Sequence, residues 1–289
     1  MWDADTCIDD LITARLVAPP AALRQPGSGL YLLIDPFLGD PVLPSPLDEG
    51  LSMEDMNAQR SKAWQRPTFA LRLPEALAMD NALAPYLVEL SGIDDAWLDA
   101  SVQWAIQETV QTWQDDGASP VAHRVGGWLQ SAAQGPMLAK HLTPWLRLRT
   151  QARTQAHYLR LADRRVLGLT AHVLGADTMG ASLSPVQHWH WLDAHAAWNT
   201  LSAASPAPGP DGEHRHAGVA PLWPAFNAAQ WTQMAQGPRI HRAMAEGIAQ
   251  RLAQSDCTAP SRWAPINAAQ WQAAVLASQL TGSDHLTPP

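Results

Sequence analysis

The stretch YLRLADRRVLGL, residues 158–169, shows the chain changing from one kind of secondary structure to another. It begins in a short apolar run of the length that forms a β-strand and continues in a pattern that favours a helix. Four charged residues lie at the junction: Arg160, Asp163, Arg164 and Arg165. Strands that alternate with helices are the building units of α/β and α+β proteins, so the stretch predicts that class of fold.

Similar apolar runs occur along the chain, with helix candidates between them. The strand-like runs are residues 30–35, 68–73, 86–90, 145–149, 157–161 and 186–192. The clearest helix candidate covers residues 95–115, where apolar residues recur at spacings of three and four after an Asp-Asp start that suits a helix cap. This alternation predicts an α/β (α+β) N-terminal lobe with a mixed sheet over residues 1–201.

The C-terminal part has a different pattern. Residues 202–224 are rich in Pro and Gly and lack an apolar period, which indicates a linker. Residues 225–289 are predicted to form a smaller, all-helical lobe. One of its helices follows Pro238 and carries an apolar stripe spaced by four residues: Ile240, Met244, Ile248 and Leu252.

The pentapeptide Asn-Ala-Ala-Gln-Trp occurs twice in that lobe, beginning at Asn227 and at Asn267. In the first copy Asn227 is predicted to cap a helix and Gln230 to reach back to the N–H of the cap. Trp231 would then pack on Phe226, which precedes the cap. The second copy repeats these roles with Asn267, Gln270, Trp271 and Ile266. The repeat indicates two similar helix starts and no chemistry.

The charge and composition of the chain restrict its partners. Of the 289 residues 16% are charged and the formal net charge is -8, so no basic surface for nucleic acid is expected. No apolar run approaches the roughly 18 residues that span a bilayer, and the acidic residues 1–10 do not resemble a signal peptide. Cys7 and Cys257 suggest neither a metal site nor a disulfide scaffold. We expect a cytoplasmic protein that binds neither nucleic acid nor a membrane.

Tryptophan is frequent, with 14 copies against 3 tyrosines and 3 phenylalanines. Its large apolar area favours protein cores and the buried centres of interfaces. We expect most of these side chains in the core and a few exposed at a binding face.

Several familiar catalytic motifs are absent: the Gly-x-Ser-x-Gly elbow, the His-Glu-x-x-His zinc helix, and the glycine-rich phosphate and dinucleotide loops. The remaining candidate is HWHWLDAH, which starts at His188. On a strand, His188 and His190 would share one face. Together with Asp193 or His195 they could hold a divalent metal ion. Alternatively, the histidines are solvated or hydrogen-bonded, and the tryptophans beside them are buried on the opposite face.

Two interpretations of the charged junction are open. In the first, Asp163 caps the helix and pairs with an arginine, Arg165 has a structural role, and Arg164 points outward. In the second, the charged residues form a surface patch that docks a partner. Both interpretations follow from the same four side chains.

The segment YLRLADRRVL resembles the aromatic-Arg-x-x-Asp-Pro-Arg-Val-Leu segment of the type VI secretion effector chaperones. These adaptor proteins were long described only as a domain of unknown function. Four further segments resemble parts of the family in the same order: residues 29–35, 84–90, 141–149 and 183–191. Three positions depart from the family pattern, which indicates a divergent member: Arg164 replaces a proline, Ala162 an aromatic residue and Ser184 a glycine.

The resemblance implies a non-enzymatic adaptor without a cofactor. Such an adaptor binds one effector toxin, commonly through the N-terminal region of the toxin, and helps to load it onto the trimeric spike protein VgrG. The family pairs an α/β lobe with a variable helical lobe, where client selection is expected. Candidate contact residues are Arg160, Arg164, Trp223 and Trp263, whereas Trp231 and Trp271 are expected to lie inside.

The alternative function is a small metal- or carboxylate-dependent hydrolase, which could itself be a toxin. It would use the face that carries His188 and His190. The adaptor predicts that His190→Ala leaves function intact, and the hydrolase predicts the reverse.

Overall fold

The computed structural model describes residues 4–24, 28–43, 50–73, 79–115, 121–150, 153–204, 225–254 and 260–280. The helices within these residues are α1 (Ala4–Val17), α2 (Met53–Trp64), α3 (Ala96–Gln114), α4 (Gly135–Leu142), α5 (Arg164–Leu174), α6 (Ala176–Leu183), α7 (Ala228–Ala235), α8 (Gly237–Gln254) and α9 (Ala268–Leu280). The strands are β1 (Gly29–Ile34), β2 (Thr68–Ala70), β3 (Tyr86–Leu90), β4 (Val125–Ser131), β5 (Arg147–Thr150), β6 (Arg153–Tyr158), β7 (Val186–Leu192) and β8 (Trp198–Ser202). The predicted α+β class with a helical C-terminal part is confirmed.

Six strands form one sheet in the order β2-β3-β1-β4-β7-β8, and β5 pairs with β6 in a separate ribbon. Every neighbouring pair is antiparallel, so the prediction of a mixed sheet is wrong. The reason lies in the connection through α3. It joins β3 to β4, which run in the same direction but do not pair, because β1 lies between them. A helix between two strands therefore did not imply a parallel pair.

Both faces of the six-stranded sheet are buried. Alternate residues of β1 point to opposite sides, as strand geometry requires. Leu32 and Ile34 join a core formed with α1, α3 and α8, whereas Tyr31 and Leu33 join a second core with α4, α5 and α6. The sheet is thus the middle of three layers.

The strand predictions hold best where the apolar run is continuous. β3 and β7 match residues 86–90 and 186–192, and β1 is displaced by one residue. The run at 68–73 contains a strand of three residues, and the runs at 145–149 and 157–161 contribute the ends of the β5–β6 ribbon. β4 and β8 were not predicted.

The sequence did not predict β4 because the strand contains Gly126 and Gly127, and glycine weakens a strand pattern. The fold requires both glycines. A Cβ atom at Gly126 would lie 2.4 Å from the carbonyl oxygen of Ala162, and one at Gly127 would lie 2.3 Å from that of His190. Gly127 also has a φ of +131°, which L side chains rarely adopt. Close backbone approach selects these two residues.

The C-terminal helices begin as predicted. In α7, Asn227 Oδ1 accepts from the Gln230 N–H at 2.9 Å, and Gln230 Oε1 accepts from the Asn227 N–H at 3.0 Å. Asn267 and Gln270 form the same pair of bonds before α9, at 3.0 and 2.9 Å. The apolar stripe of α8 is buried as expected, and it shares a core with α1 and α3. Most of the predicted linker, residues 205–224, lies outside the described residues.

Candidate functional site

The junction between β6 and α5 is a network of charged side chains. Asp163 caps α5 by accepting from the Arg165 N–H at 3.0 Å. The guanidinium of Arg165 also donates to both oxygens of Asp163, at 3.0 and 2.7 Å. Arg160 donates from Nε to Asp35 Oδ2 at 2.6 Å, and its Nη1 lies 3.6 Å from Asp163 Oδ2. The capped, ion-paired junction is confirmed.

The two carboxylates of this network are held in different states. Burial alone would raise the pKa of Asp163, but the charge and hydrogen bonds of Arg165 hold that pKa well below its ordinary value. For Asp35, burial raises the pKa to about 6, although Arg160 opposes the rise. Asp163 is therefore ionised at neutral pH. Asp35 loses its proton less readily, because burial disfavours a second negative charge in this network.

Arg164 does not point outward, and that prediction is wrong. Its side chain is 2% exposed, and its Nη1 donates to Glu108 Oε2 at 2.7 Å. Its Nη2 donates to the carbonyl of Ala105 at 2.6 Å and to Thr109 Oγ1 at 2.9 Å. Arg164 thus joins α5 to α3 inside the protein, because α3 presents a buried carboxylate at this point. It has no surface to offer a partner.

A groove with a volume of about 620 Å³ opens beside the junction. One side consists of His157, Tyr158 and Arg160, which follow one another along the end of β6 and the loop beyond it. The other sides come from α5, α7, α8 and the end of α3 with the chain after it. The apolar residues of α5, α7 and α8 in the lining include Val166, Leu169, Trp231, Met234, Ala245 and Ala249. Exposed charges, Arg242 and Glu246, lie among the lining residues of α8. An apolar wall with exposed charges beside it is typical of interfaces.

Four residues that line the groove carry a buried polar atom that has no hydrogen-bond partner in the structure. These are Tyr158 Oη, Arg160 Nη2, His157 Nε2 and His241 Nε2. Burial raises the pKa of Tyr158, so its hydroxyl keeps its proton. Burial lowers the pKa of His241 to about 4, with a further contribution from Arg165, so this ring is neutral at pH 7. A neutral imidazole adds no charge to the groove.

Sequence reasoning identified Arg160 but missed Tyr158 and His241. A signal for the second residue was present. His241, Ala245 and Ala249 form a stripe spaced by four, one position after the buried stripe that starts at Ile240. Small residues beside a buried helix face leave room for a groove. For Tyr158, the available signal was its position as the first, aromatic residue of the segment YLRLADRRVL.

Most of the tryptophans in the described ranges are buried, as expected. None there is fully exposed, but five keep partly exposed side chains: Trp97, Trp104, Trp198, Trp231 and Trp263. Trp263 is half-buried, with ring-centroid distances of 5.8 Å to Trp113 and 5.2 Å to His195. Trp271 is buried as expected, whereas Trp231 is half-buried and packs on His157 at 4.9 Å. Trp223 lies outside the described residues.

The histidine face of β7 serves the packing of the sheet. His188 and His190 share one face, as predicted, and their ring centroids are 5.8 Å apart. His190 is fully buried, however, with Thr200 Oγ1 at 2.8 Å from Nδ1, so the hydrogen-bonded interpretation applies. Trp189 and Trp191 are buried on the other face.

The other proposed ligands are committed to backbone groups. Asp193 accepts from the N–H groups of His195, Ala197 and Ile266, and His195 Nδ1 lies 2.9 Å from the carbonyl oxygen of Ala264. These bonds attach the segment before α9 to the β7–β8 turn. Among the residues that the structure describes, no group of three or more His, Cys, Asp or Glu side chains is placed to hold a metal ion.

Comparisons of the chain with known protein families, with curated proteins and with solved structures find no match. In the described part of the chain, no helix has both the length and the apolar character needed to cross a membrane. The arguments for function therefore rest on the sequence of the chain and on the groove.

Proposed function

We propose that this protein is a cytoplasmic adaptor that binds one effector toxin of a type VI secretion system and helps to load it onto the VgrG spike. Two features support the proposal: the resemblance carried by residues 158–167, and the groove that the same segment lines. The observation that carries it is this coincidence. Tyr158, Arg160, Asp163 and Arg165 belong both to the motif and to the wall of the groove.

The chemistry of the groove suits a polypeptide client better than a small reaction substrate. Its walls are largely aliphatic and aromatic, and Asp163, one of its three acidic residues, is neutralised by a bidentate arginine. A groove that binds a peptide segment by its apolar side chains needs such walls. A general base or nucleophile would instead need an activating neighbour.

The test is co-expression with the product of the adjacent gene, followed by affinity purification and size-exclusion chromatography at moderate salt. We expect a stoichiometric complex, and we expect the neighbour to be insoluble or degraded when it is expressed alone. Two soluble proteins that elute separately would contradict the proposal. The adaptor carrying His190→Ala is the control for the hydrolase alternative, because it should still form the complex.

A further inference from the structure

Unpaired buried polar atoms are concentrated in residues that line the groove. Eight buried side-chain nitrogen or oxygen atoms among the described residues have no hydrogen-bond partner, and four of them belong to residues that line this groove. A fifth, His123 Nδ1, lines a smaller cavity that shares His241 with the groove. An unpaired buried polar group is unfavourable, so such a concentration in one place points to a ligand that pairs with them.

Two of these groups favour a ligand that offers a hydrogen-bond acceptor. Arg160 Nη2 is a donor without acceptor capacity, and the Tyr158 hydroxyl keeps its proton. Neither atom has a hydrogen bond of its own in the structure. Arg160 bonds Asp35 through Nε, on the same edge of the guanidinium as Nη2, so Nη2 can donate to a ligand while Nε keeps its bond.

The charges around Arg160 decide what kind of acceptor fits. The groove is lined by three arginines and three acidic residues: Arg160, Arg165, Arg242, Asp115, Asp163 and Glu246. Asp35 adds a further carboxylate in contact with Arg160. A client carboxylate placed here would face the like charges of Asp35 and Asp163, whereas a neutral peptide carbonyl would not.

We infer that the groove binds an apolar client segment by its main-chain carbonyl groups, which accept hydrogen bonds from Arg160 Nη2 and the Tyr158 hydroxyl. The apolar side chains of the segment pack on Val166, Trp231, Met234 and Ala249. Main-chain recognition orients the segment, and the apolar walls exclude water from the bonds. This inference rests on the proposed function, since it names the chemistry by which the client is held.

The experiment uses isothermal titration calorimetry to measure the binding of synthetic peptides from the N-terminal region of the adjacent gene's product to wild type and three variants. Ala249→Arg fills the groove and should weaken binding at least about tenfold. Tyr158→Phe keeps the ring and removes the donor, and should weaken binding by about two- to tenfold, the range of one neutral hydrogen bond. Ala253→Arg adds the same side chain to an exposed position of α8 outside the groove and should bind as wild type. Circular dichroism checks that each variant is folded.

The salt dependence of binding distinguishes a carbonyl acceptor on the client from a carboxylate acceptor. With a neutral acceptor, the factor lost in Tyr158→Phe should be equal at about 0.1 M and about 0.5 M salt, and wild-type affinity should change little. A client affinity that falls steeply with salt would overturn the main-chain assignment. Wild-type affinity in Tyr158→Phe or Ala249→Arg would overturn the site itself while leaving the adaptor function standing. A wild-type protein that binds no client at all would instead overturn the proposed function.

Discussion

The guanidinium of Arg164 and the carboxylate of Glu108 form an ion pair of 2.7 Å between α5 and α3, and each side chain is only 2% exposed. Glu108 also accepts from the backbone N–H and the Nε of Arg124, both at 3.0 Å. One buried carboxylate thus joins α3, α5 and the chain that enters β4. Removal of Glu108 would leave Arg164 without its ion-pair partner in a place that water does not reach, whereas removal of Arg164 would leave Glu108 paired with Arg124 alone.

Arg164→Met should therefore lower the free energy of unfolding by about 3 kcal/mol, the low end of the range for a broken buried pair, because Glu108 keeps only Arg124, whose side chain is 36% exposed. Urea denaturation measures the difference. The matched control is Arg72→Met, which removes a surface contact of 3.9 Å to Glu54, where both side chains are more than three-quarters exposed. The control should change stability by less than about 1 kcal/mol. Equal losses of unfolding free energy in the two variants would show that the buried pair stabilises the fold no more than the surface contact does.

The contrast between Arg164 and Asp163 shows what could be predicted from the sequence. The cap at Asp163 was predictable because its partner, the Arg165 N–H, lies two residues away. The burial of Arg164 was not, because its partner Glu108 lies 56 residues earlier in the chain. Local sequence patterns therefore predicted the helix starts correctly and the environment of the Arg164 side chain wrongly.

The same distinction holds for the sheet and for the groove. β7 was predicted from its own apolar run, whereas β4 depends on glycines selected by contacts with Ala162 and His190. The groove needs the end of β6 to meet α7 and α8, and the intervening chain is long. Arg160 could be named from the sequence, but the contact between the end of β6 and these two helices could not be predicted.

The two capping boxes offer a paired test of local stability. Asn227→Ala and Asn267→Ala each remove an acceptor for the third N–H of a helix, and each should cost about 1 kcal/mol. Asn227→Ser and Asn267→Ser, which keep a capping oxygen, should recover most of the loss. Thermal unfolding provides the measurement. A loss that serine does not recover would mean that the asparagines act through something other than capping.

Stability should fall on mild acidification, in part through His190. Burial lowers the pKa of His190 to about 4, and His188 adds to the shift from the ordinary value of 6.5. Below about pH 6.5 the unfolded chain takes up the proton first, so this contribution is lost as the pH falls toward about 4. At pH 5 the loss is about 2 kcal/mol relative to pH 7.

His190→Gln should remove this part of the pH dependence, which urea denaturation at pH 7 and pH 5 would reveal. The comparison with wild type is needed because Asp35 acts in the opposite direction. Its pKa is raised to about 6 by burial, so protonation of the folded chain adds stability as the pH falls from about 6 toward about 4. The Asp35 contribution is common to both proteins and cancels. A variant with the same pH dependence as wild type would contradict the assignment to His190.

Asp163→Asn separates the charge of the junction from its capping. Asparagine is as good a helix cap as aspartate, so the bond from the Arg165 N–H can persist. The ionic part of the fork with Arg165 is lost, and Arg160 keeps only Asp35 as a counter-charge. Because the carboxylate is 3% exposed, we expect a loss of stability of about 2–4 kcal/mol, near the lower part of the range for a broken buried pair. The matched variant Asp80→Asn changes a capping aspartate without an ion pair in the described structure, and it should leave stability nearly unchanged. If the two variants lost equal stability, Asp163 would act as a cap alone, and the groove wall would not depend on its charge.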